Sequence, residues 1–486
     1  MSEKRLIQAE NVRLSYGEQE VLNFDLFQLY EGDKVGLVGA NGVGKTTLLE
    51  VLSGKLRPDE GKVRLDCDPF YFKQFEGSWD VGELDGKEVK TFGVREQVWQ
   101  DIVSGGENTR IRLAELFGSD KPVAFLDEPT ANLDMSGRRL LAERLGSVPS
   151  FLLVSHDRML MNAVCNKIVE IVDGKLYEYA GNYEDYQAQK AEKTQRAQTE
   201  YEQYVAEKKR LSKVYESKKN QAKDMVKKPK NMSYSEYKMR NFIGGHMPVD
   251  RVLSMEKSAK NVLKRMEHME VKEKPKEAPR IRPDFRLTNP PKNPIVIRGE
   301  SITFGYDEHL LFDDAALIIE NGSKVAILGD NGAGKSTLMH MIQNREQVYV
   351  VPAAKLGFVS QNLSELDFEK SVLWNAMHVS IQKEDVTRTV LARLLLGKRD
   401  IEKKVGDLSG GERMKLAFAM LFVSDVNVLI LDEPTNYLDL PSMEAMEQML
   451  REYEGTLVFV SHDMEFVEHV ATRKLLLKDR KLVEME

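Results

Sequence analysis

The apolar residues of this chain fall into short runs that recur in two parts of it. Val35–Val38, Val123–Leu126 and Phe151–Val154 have the length of strands buried on both faces, and Val325–Leu328 and Val428–Leu431 repeat the pattern near the other end. No window approaches the roughly 18–20 continuous apolar residues of a membrane helix. Between the two sets lies a different pattern. From Tyr186 to Val226 the sequence is charged and lacks Pro and Gly, which predicts one helix. At about 1.5 Å per residue it spans roughly 60 Å. A return segment carries Val252, Met255, Ala259, Val262, Met266 and Met269, alternating steps of three and four, the spacing of a heptad seam. A weaker outgoing seam runs through Tyr201, Tyr204, Lys208, Leu211 and Tyr215. The chain must come back to begin the second set of strands, so an antiparallel coiled-coil hairpin is the economical prediction. A charged, disordered linker is the alternative that composition would allow. Pro279, Pro283, Pro290, Pro291 and Pro294 then predict an extended strap.

The outer parts are copies of one another. Asn11-Val-Arg-Leu-Ser-Tyr16 matches Ser301-Ile-Thr-Phe-Gly-Tyr306, and Gly39-Ala-Asn-Gly-Val-Gly-Lys-Thr46 matches Gly329-Asp-Asn-Gly-Ala-Gly-Lys-Ser336. Each second match is a complete G-x-x-x-x-G-K-[ST] loop between an apolar strand and a helical pattern, the context that gives this motif its meaning. Gly39, Gly42 and Gly44, with Gly329, Gly332 and Gly334, let backbone N–H groups close around phosphate oxygens. Lys45 and Lys335 are placed to reach the terminal phosphates, and the Thr46 and Ser336 hydroxyls to hold Mg2+. Further on, Val123-Ala-Phe-Leu-Asp-Glu128 and Val428-Leu-Ile-Leu-Asp-Glu433 are strands that end in paired carboxylates. The first of each pair, Asp127 or Asp432, suits the Mg2+ shell, and Glu128 or Glu433 suits a base for an attacking water. Ser155-His156-Asp157 and Ser461-His462-Asp463 recur at matching distances downstream. A single histidine is usually structural, but two in register favour a phosphate contact.

Charge sharpens the division. Residues 190–290 hold 26 Lys+Arg against 14 Asp+Glu, whereas the whole chain holds 70 against 77. One basic arm between two acidic lobes points to a polyanionic partner. Two cysteines are too few for a disulfide framework or a four-ligand metal site, and the first residues lack an apolar signal core. A cytoplasmic protein is expected.

Ser104-Gly105-Gly106-Glu107 and Leu408-Ser409-Gly410-Gly411-Glu412 resemble the signature loop of the ABC ATPase superfamily. The resemblance implies two tandem α/β P-loop domains in a head-to-tail pair, with Ser409 completing the Lys45 site and Ser104 the Lys335 site. It also implies ATP contacts from Tyr16 and Tyr306 to adenine, from Asn41 and Asn331, and from Thr47 and Thr337. Gln74 and Gln361 become Q-loop ligands of Mg2+, and Asp134 and Asp439 D-loop residues. Most such ATPases drive transporters. Here the interval from Gln74 to Ser104, which builds the subdomain that grips a membrane partner, is far shorter than that from Gln361 to Ser409. Leu431-Asp-Glu-Pro-Thr-Asn-Tyr-Leu-Asp439 and the long basic linker are similar instead to the ABC-F family, and no membrane subunit is expected.

That resemblance implies residues 1–188 and 291–486 as ATPase domains, with 189–290 as the linker and its tip near 227–248. It implies a monomer that binds the 70S ribosome at the tRNA exit site, near 23S rRNA and P-site tRNA. Lobe one lacks room for the insertion of housekeeping members, which resembles the antibiotic-resistance branch. The tip residues Lys230, Tyr234, Tyr237, Lys238, Arg240 and Phe242 interleave cations with aromatic rings, as a probe of rRNA or a drug site would. A housekeeping translation factor and a transporter motor are the rival readings.

Overall fold

Burial of the short apolar runs builds two similar lobes. The computed structural model describes all residues except 1–3, 18, 74–85, 95–104, 132, 134, 227–231, 237, 238, 240–246, 273–281, 307, 308, 331, 360–362, 436, 437 and 486. The described chain forms two compact units, residues 1–186 with 278–486, and residues 187–277.

Lobe one runs β1 (Arg5–Tyr16), β2 (Gln19–Tyr30), β3 (Lys34–Val38), α1 (Lys45–Leu52), β4 (Glu60–Leu65), β5 (Phe70–Phe72), α2 (Gly86–Thr91), α3 (Gly105–Gly118), β6 (Val123–Asp127), α4 (Met135–Leu145), β7 (Ser150–Val154), α5 (Arg158–Val164), β8 (Lys167–Val172) and β9 (Lys175–Ala180). The linker supplies α6 (Tyr183–Val226) and α7 (Met247–Glu267). Lobe two repeats the first as β10 (Ile295–Tyr306), β11 (His309–Glu320), β12 (Lys324–Leu328), α8 (Lys335–Asn344), β13 (Tyr349–Val350), β14 (Leu356–Phe358), α9 (Val372–Val379), α10 (Glu384–Arg393), α11 (Gly410–Val423), β15 (Val428–Asp432), α12 (Leu440–Glu452), β16 (Thr456–Val460), α13 (Met464–Val470), β17 (Arg473–Lys478) and β18 (Lys481–Met485).

The main sheet of lobe one has the order β5-β6-β7-β3-β8-β9, and that of lobe two the order β14-β15-β16-β12-β17-β18. All neighbours are parallel except the last pair of each sheet. The parallel strands of lobe one are covered on both faces, by α3, α4 and α5 on one and by α1 with strands β1 and β2 on the other, which is why β3, β6 and β7 read as unbroken apolar runs and are buried. The smaller antiparallel sheets β2-β1-β4 and β11-β10-β13 alternate instead, since one face meets water. One apolar cluster, from Leu153 and Phe151 to Phe459 and Leu450, runs through both lobes.

Linker helix α6 begins at Tyr183, three residues before the predicted start, because Tyr183 and Tyr186 are buried in the lobes. In the second unit, Arg265 pairs with Glu207 at 3.3 Å and Lys272 with Glu200 at 3.3 Å, and Lys218 meets Ser258, so the two segments run antiparallel. Every residue of the expected return seam is buried or half-buried. On α6 the inward position between Tyr204 and Leu211 is Glu207; Lys208 is exposed. Charge explains the change, since Glu207 meets Arg265 while Lys208 turns to the Tyr204 ring beside it. The strap is not wholly extended. Phe285–Thr288 forms a 3-10 turn whose Phe285 ring packs edge-on against Tyr453, and Gln382 exchanges two hydrogen bonds with the Asp284 backbone. Among the described residues no helix is long and apolar enough to cross a membrane.

Candidate active sites

Each phosphate loop leaves the middle of a main sheet, where β3 and β12 have parallel neighbours on both sides. Gly39, Gly42 and Gly44 have φ of 151°, 77° and 98°, and Gly329, Gly332 and Gly334 repeat them at 151°, 77° and 108°. Only glycine holds such a path without strain. A Cβ on Gly44 would come within 2.5 Å of the Val21 side chain, whereas around Gly42 and Gly332 the space is open. No side chain caps α1 or α8, so their first N–H groups face the loops uncapped, the arrangement that receives phosphate. Lys45 Nζ donates to the carbonyls of Gly39 and Ala40 at 2.8 and 3.1 Å, and Lys335 Nζ to those of Gly329 and Asp330 at 2.8 and 2.9 Å. Thr47 and Thr337 follow in the first helical turn. Tyr16 and Tyr306 present exposed rings at strand ends, 56 % and 58 % accessible.

The Mg2+ candidates also converge. Thr46 Oγ1 donates to Asp127 Oδ2 at 2.8 Å, while in lobe two Asp432 Oδ1 is buried with no hydrogen-bond partner. A hydroxyl beside a carboxylate, and a dry carboxylate oxygen without a donor, are what a hard cation requires. These residues therefore fit Mg2+, which when bound would neutralise phosphate charge at that end of the loop.

Glu128 and Glu433 carry φ of 50° and 49°, left-handed conformations forced by hydrogen bonds from Glu128 N to the Val154 carbonyl and from Glu433 N to the Val460 carbonyl. His156 N donates to Glu128 Oε2 at 3.3 Å and its Nε2 lies 3.3 Å from Oε1; His462 holds Glu433 at 3.3 and 3.4 Å. The histidines thus orient the glutamates. Thr130 and Ser155, 3.3 Å apart, and Thr435 and Ser461, 3.2 Å apart, tie each carboxylate strand to its histidine loop. Both serines also accept the aspartate N–H two residues on. The duplicated Ser-His-Asp triplets were the sequence signal for these serines, and the repeated Asp-Glu-Pro-Thr stretches, 127–130 and 432–435, for the threonines.

Lobe two reaches the first site directly. Asp439 Oδ2 accepts the Asn41 N–H at 2.6 Å, and Lys415 of α11 stands 3.7 Å from the same oxygen. Burial opposes ionisation of Asp439, but Lys415 and its Ser442 and Asn41 donors together hold the carboxyl below its usual range. Ser409 caps α11 through a reciprocal box with Glu412, leaving Gly410 and Gly411 to open the helix. In lobe one Gly105 and Gly106 open α3. Gln74, Ser104, Asp134, Asn331 and Gln361 lie outside the described residues, as do Lys230, Tyr237, Lys238, Arg240 and Phe242 of the tip. Tyr234 is described and 67 % exposed.

A family profile described as "ABC transporter" matches residues 22–83 and 312–436. The chain is 33 % identical to the erythromycin resistance ATP-binding protein MsrA of Staphylococcus epidermidis, over 93 % of each. It is 30 % identical to ABC transporter F family member 5 of Arabidopsis thaliana, over 97 % of this chain and 75 % of that one. The chain belongs to the ABC-F family. This ABC-F protein is an ATPase with two ATP-binding lobes. It is also 29 % identical to the ribosome protection protein VmlR of Bacillus subtilis, over 98 % of this chain and 87 % of the relative.

The carboxylates set an expected pH dependence. Burial pushes Glu128 up to about 8 and Glu433 up to about 7, against the opposing pull of Lys45 on the first and the His462 N–H on the second. Burial drives His156 down to about 3, so it stays neutral near neutrality. A general base works only when ionised, so a raised pKa moves loss of activity to higher pH. ATP turnover should therefore climb several-fold between about pH 6.5 and about pH 8.5 and then level off. Phosphate release at constant ionic strength reads this out, and a flat profile would contradict it.

Proposed function

We propose that this ABC-F ATPase acts on the ribosome. In this reading it binds the 70S particle at the tRNA exit site and extends its linker along 23S rRNA, past P-site tRNA, towards the peptidyl-transferase centre. There it displaces bound antibiotic, and ATP hydrolysis releases the protein. The observation that carries the reading is the basic antiparallel helix pair between two ATPase lobes. Full-length similarity to proteins named for erythromycin resistance and for ribosome protection supports it. Phosphate backbones attract the 26 basic residues of 190–290, and aromatic residues at the tip add stacking.

Within the lobes the proposed roles are those the family resemblance implies. The glycine loops with Asn41, Asn331, Thr47 and Thr337 hold the phosphates, and Tyr16 and Tyr306 stack on adenine. Thr46 with Asp127, and Ser336 with Asp432, hold Mg2+ together with Gln74 and Gln361. In this reading Ser409–Gly411 complete the Lys45 site and Ser104–Gly106 the Lys335 site, so that each terminal phosphate is shared between lobes. Glu128 and Glu433, oriented by His156 and His462, take the proton from water. Sharing favours the closed form, and loss of the phosphate lets the lobes part. The chemistry times a binding event.

A housekeeping role on the ribosome is the second reading, since membership of the ABC-F family alone does not select the resistance role. Susceptibility to a panel of ribosome-targeting antibiotics, measured in a sensitive host, separates the two. Expression of the wild type should raise tolerance several-fold to at least one class, and the Glu128→Gln/Glu433→Gln variant should not. Altered translation with no change in susceptibility would favour housekeeping.

A further inference from the structure

Helix α12 carries three contacts along its length, two to lobe one and one to the first turn of α6. At its start Asp439 receives the Asn41 N–H of the phosphate loop. One turn on, Glu444 Oε1 accepts the Tyr183 hydroxyl at 2.8 Å, in the first turn of α6. In the next turn Glu447 Oε1 lies 2.7 Å from Arg158 Nη1. Arg158 opens α5, two residues past His156, and its side chain is 1 % exposed. Glu465 stands 3.6 Å from the same nitrogen, and His469 Nδ1 lies 3.2 Å from the other Glu447 oxygen.

Nothing in the hydrolytic machinery uses this arginine, and desolvating a guanidinium is a costly way to join two surfaces. Packing does not require it. After Ser461-His462-Asp463 lobe two has Met464, and α4 has Arg139 and Ala142 where α12 has Glu444 and Glu447. Those residues cannot form the pair, so the ionic contact belongs to one of two otherwise duplicated halves.

We propose that Arg158 and Glu447 are positioning residues for the first ATP site. By fixing α12 against lobe one, they hold Asp439 on the Asn41 amide, so affinity at the Lys45 loop depends on contact between the lobes. Among the described residues the Lys335 loop has no counterpart of this pair, since Met464 and Ala142 occupy the matching positions. Because α12 also holds Tyr183, the state of the first site bears on the root of α6. The proposal rests on the Lys45 loop being a nucleotide site.

The experiment is a fluorescent ATP-analogue titration of the full chain carrying Glu128→Gln and Glu433→Gln, which should count two sites. Adding Arg158→Met or Glu447→Met is expected to weaken one site about tenfold and leave the other unchanged. The two methionines together should do no more than either alone, as coupled partners do. Lys45→Ala should eliminate the site that Arg158→Met weakens. Equal weakening of both sites, no weakening, or additive effects would overturn the proposal. Two sites persisting in Lys45→Ala would instead overturn the assignment of the loop. Should a methionine variant fail to fold, Glu447→Gln keeps the volume and carries the same one-site expectation.

Discussion

Replacing Glu128 and Glu433 together by glutamine is expected to abolish steady-state ATP turnover and to leave the protein fixed on ribosomes when ATP is present. Glutamine keeps the length of the side chain and an oxygen that can accept the His156 or His462 N–H, now at 3.3 Å, and it leaves the backbone N–H bonds to the Val154 and Val460 carbonyls in place. What it loses is the ability to take a proton from water. General-base contributions of about 10²–10⁴ in rate set the scale of the loss at each site. Binding is untouched by this change, because the phosphate loops, the signature loops and the Asp439–Asn41 contact contain neither glutamate. If the closed form is the one that fits the ribosome, blocking its only chemical exit raises the bound fraction. A sucrose gradient run with ATP should move the double variant into the 70S fraction, while the wild type divides between bound and free. Recovery of the double variant only from the ribosome-free fractions would count heavily against the proposed function.

The parts of these sites that could be read from the sequence are those built from contiguous residues. A glycine loop between a buried strand and a helix needs its residue types in a fixed order, and duplication removed chance as an explanation. The same holds for the carboxylates at the ends of β6 and β15. Contacts between distant residues left no such trace. Asn41 and Asp439 are 398 positions apart, and one of the partners is a backbone amide, which any sequence supplies. The left-handed φ of Glu128 and Glu433 comes from a hydrogen bond to a neighbouring strand, so neither glutamate advertises it. Arg158 was hidden differently: a single arginine opening a short helix reads as solvated, and it is buried where it meets Glu447 of α12 and Glu465 of α13 in lobe two. The linker gave an intermediate case. Apolar spacing located the return seam, but on α6 the seam passes through Glu207, which hydrophobic periodicity alone cannot select over Lys208.

Removing Lys230–Gly245 should leave basal ATPase activity largely intact and abolish drug protection in cell-free translation. The two halves of that expectation have separate grounds. Every residue assigned to nucleotide or water lies in the lobes, none within the deleted stretch. Below the tip the helices are already joined by the Lys218–Ser258 and Arg265–Glu207 contacts. Deletion leaves Lys227, Lys228, Pro229 and His246 between the ends of α6 and α7, and a connection of about 2–5 residues suffices to turn one helix back on another. The hairpin can therefore close. What disappears is a group of cations and aromatic rings in the sequence, of which Tyr234 is described and 67 % exposed, so that this ring contributes little to folding. Cations interleaved with aromatic residues suit phosphates and the faces of unpaired bases, which is the recognition the deletion would remove. Protection undiminished by the deletion would reduce the tip to a turn between helices and move the recognition of rRNA to the helical shafts, where Lys and Arg remain in excess.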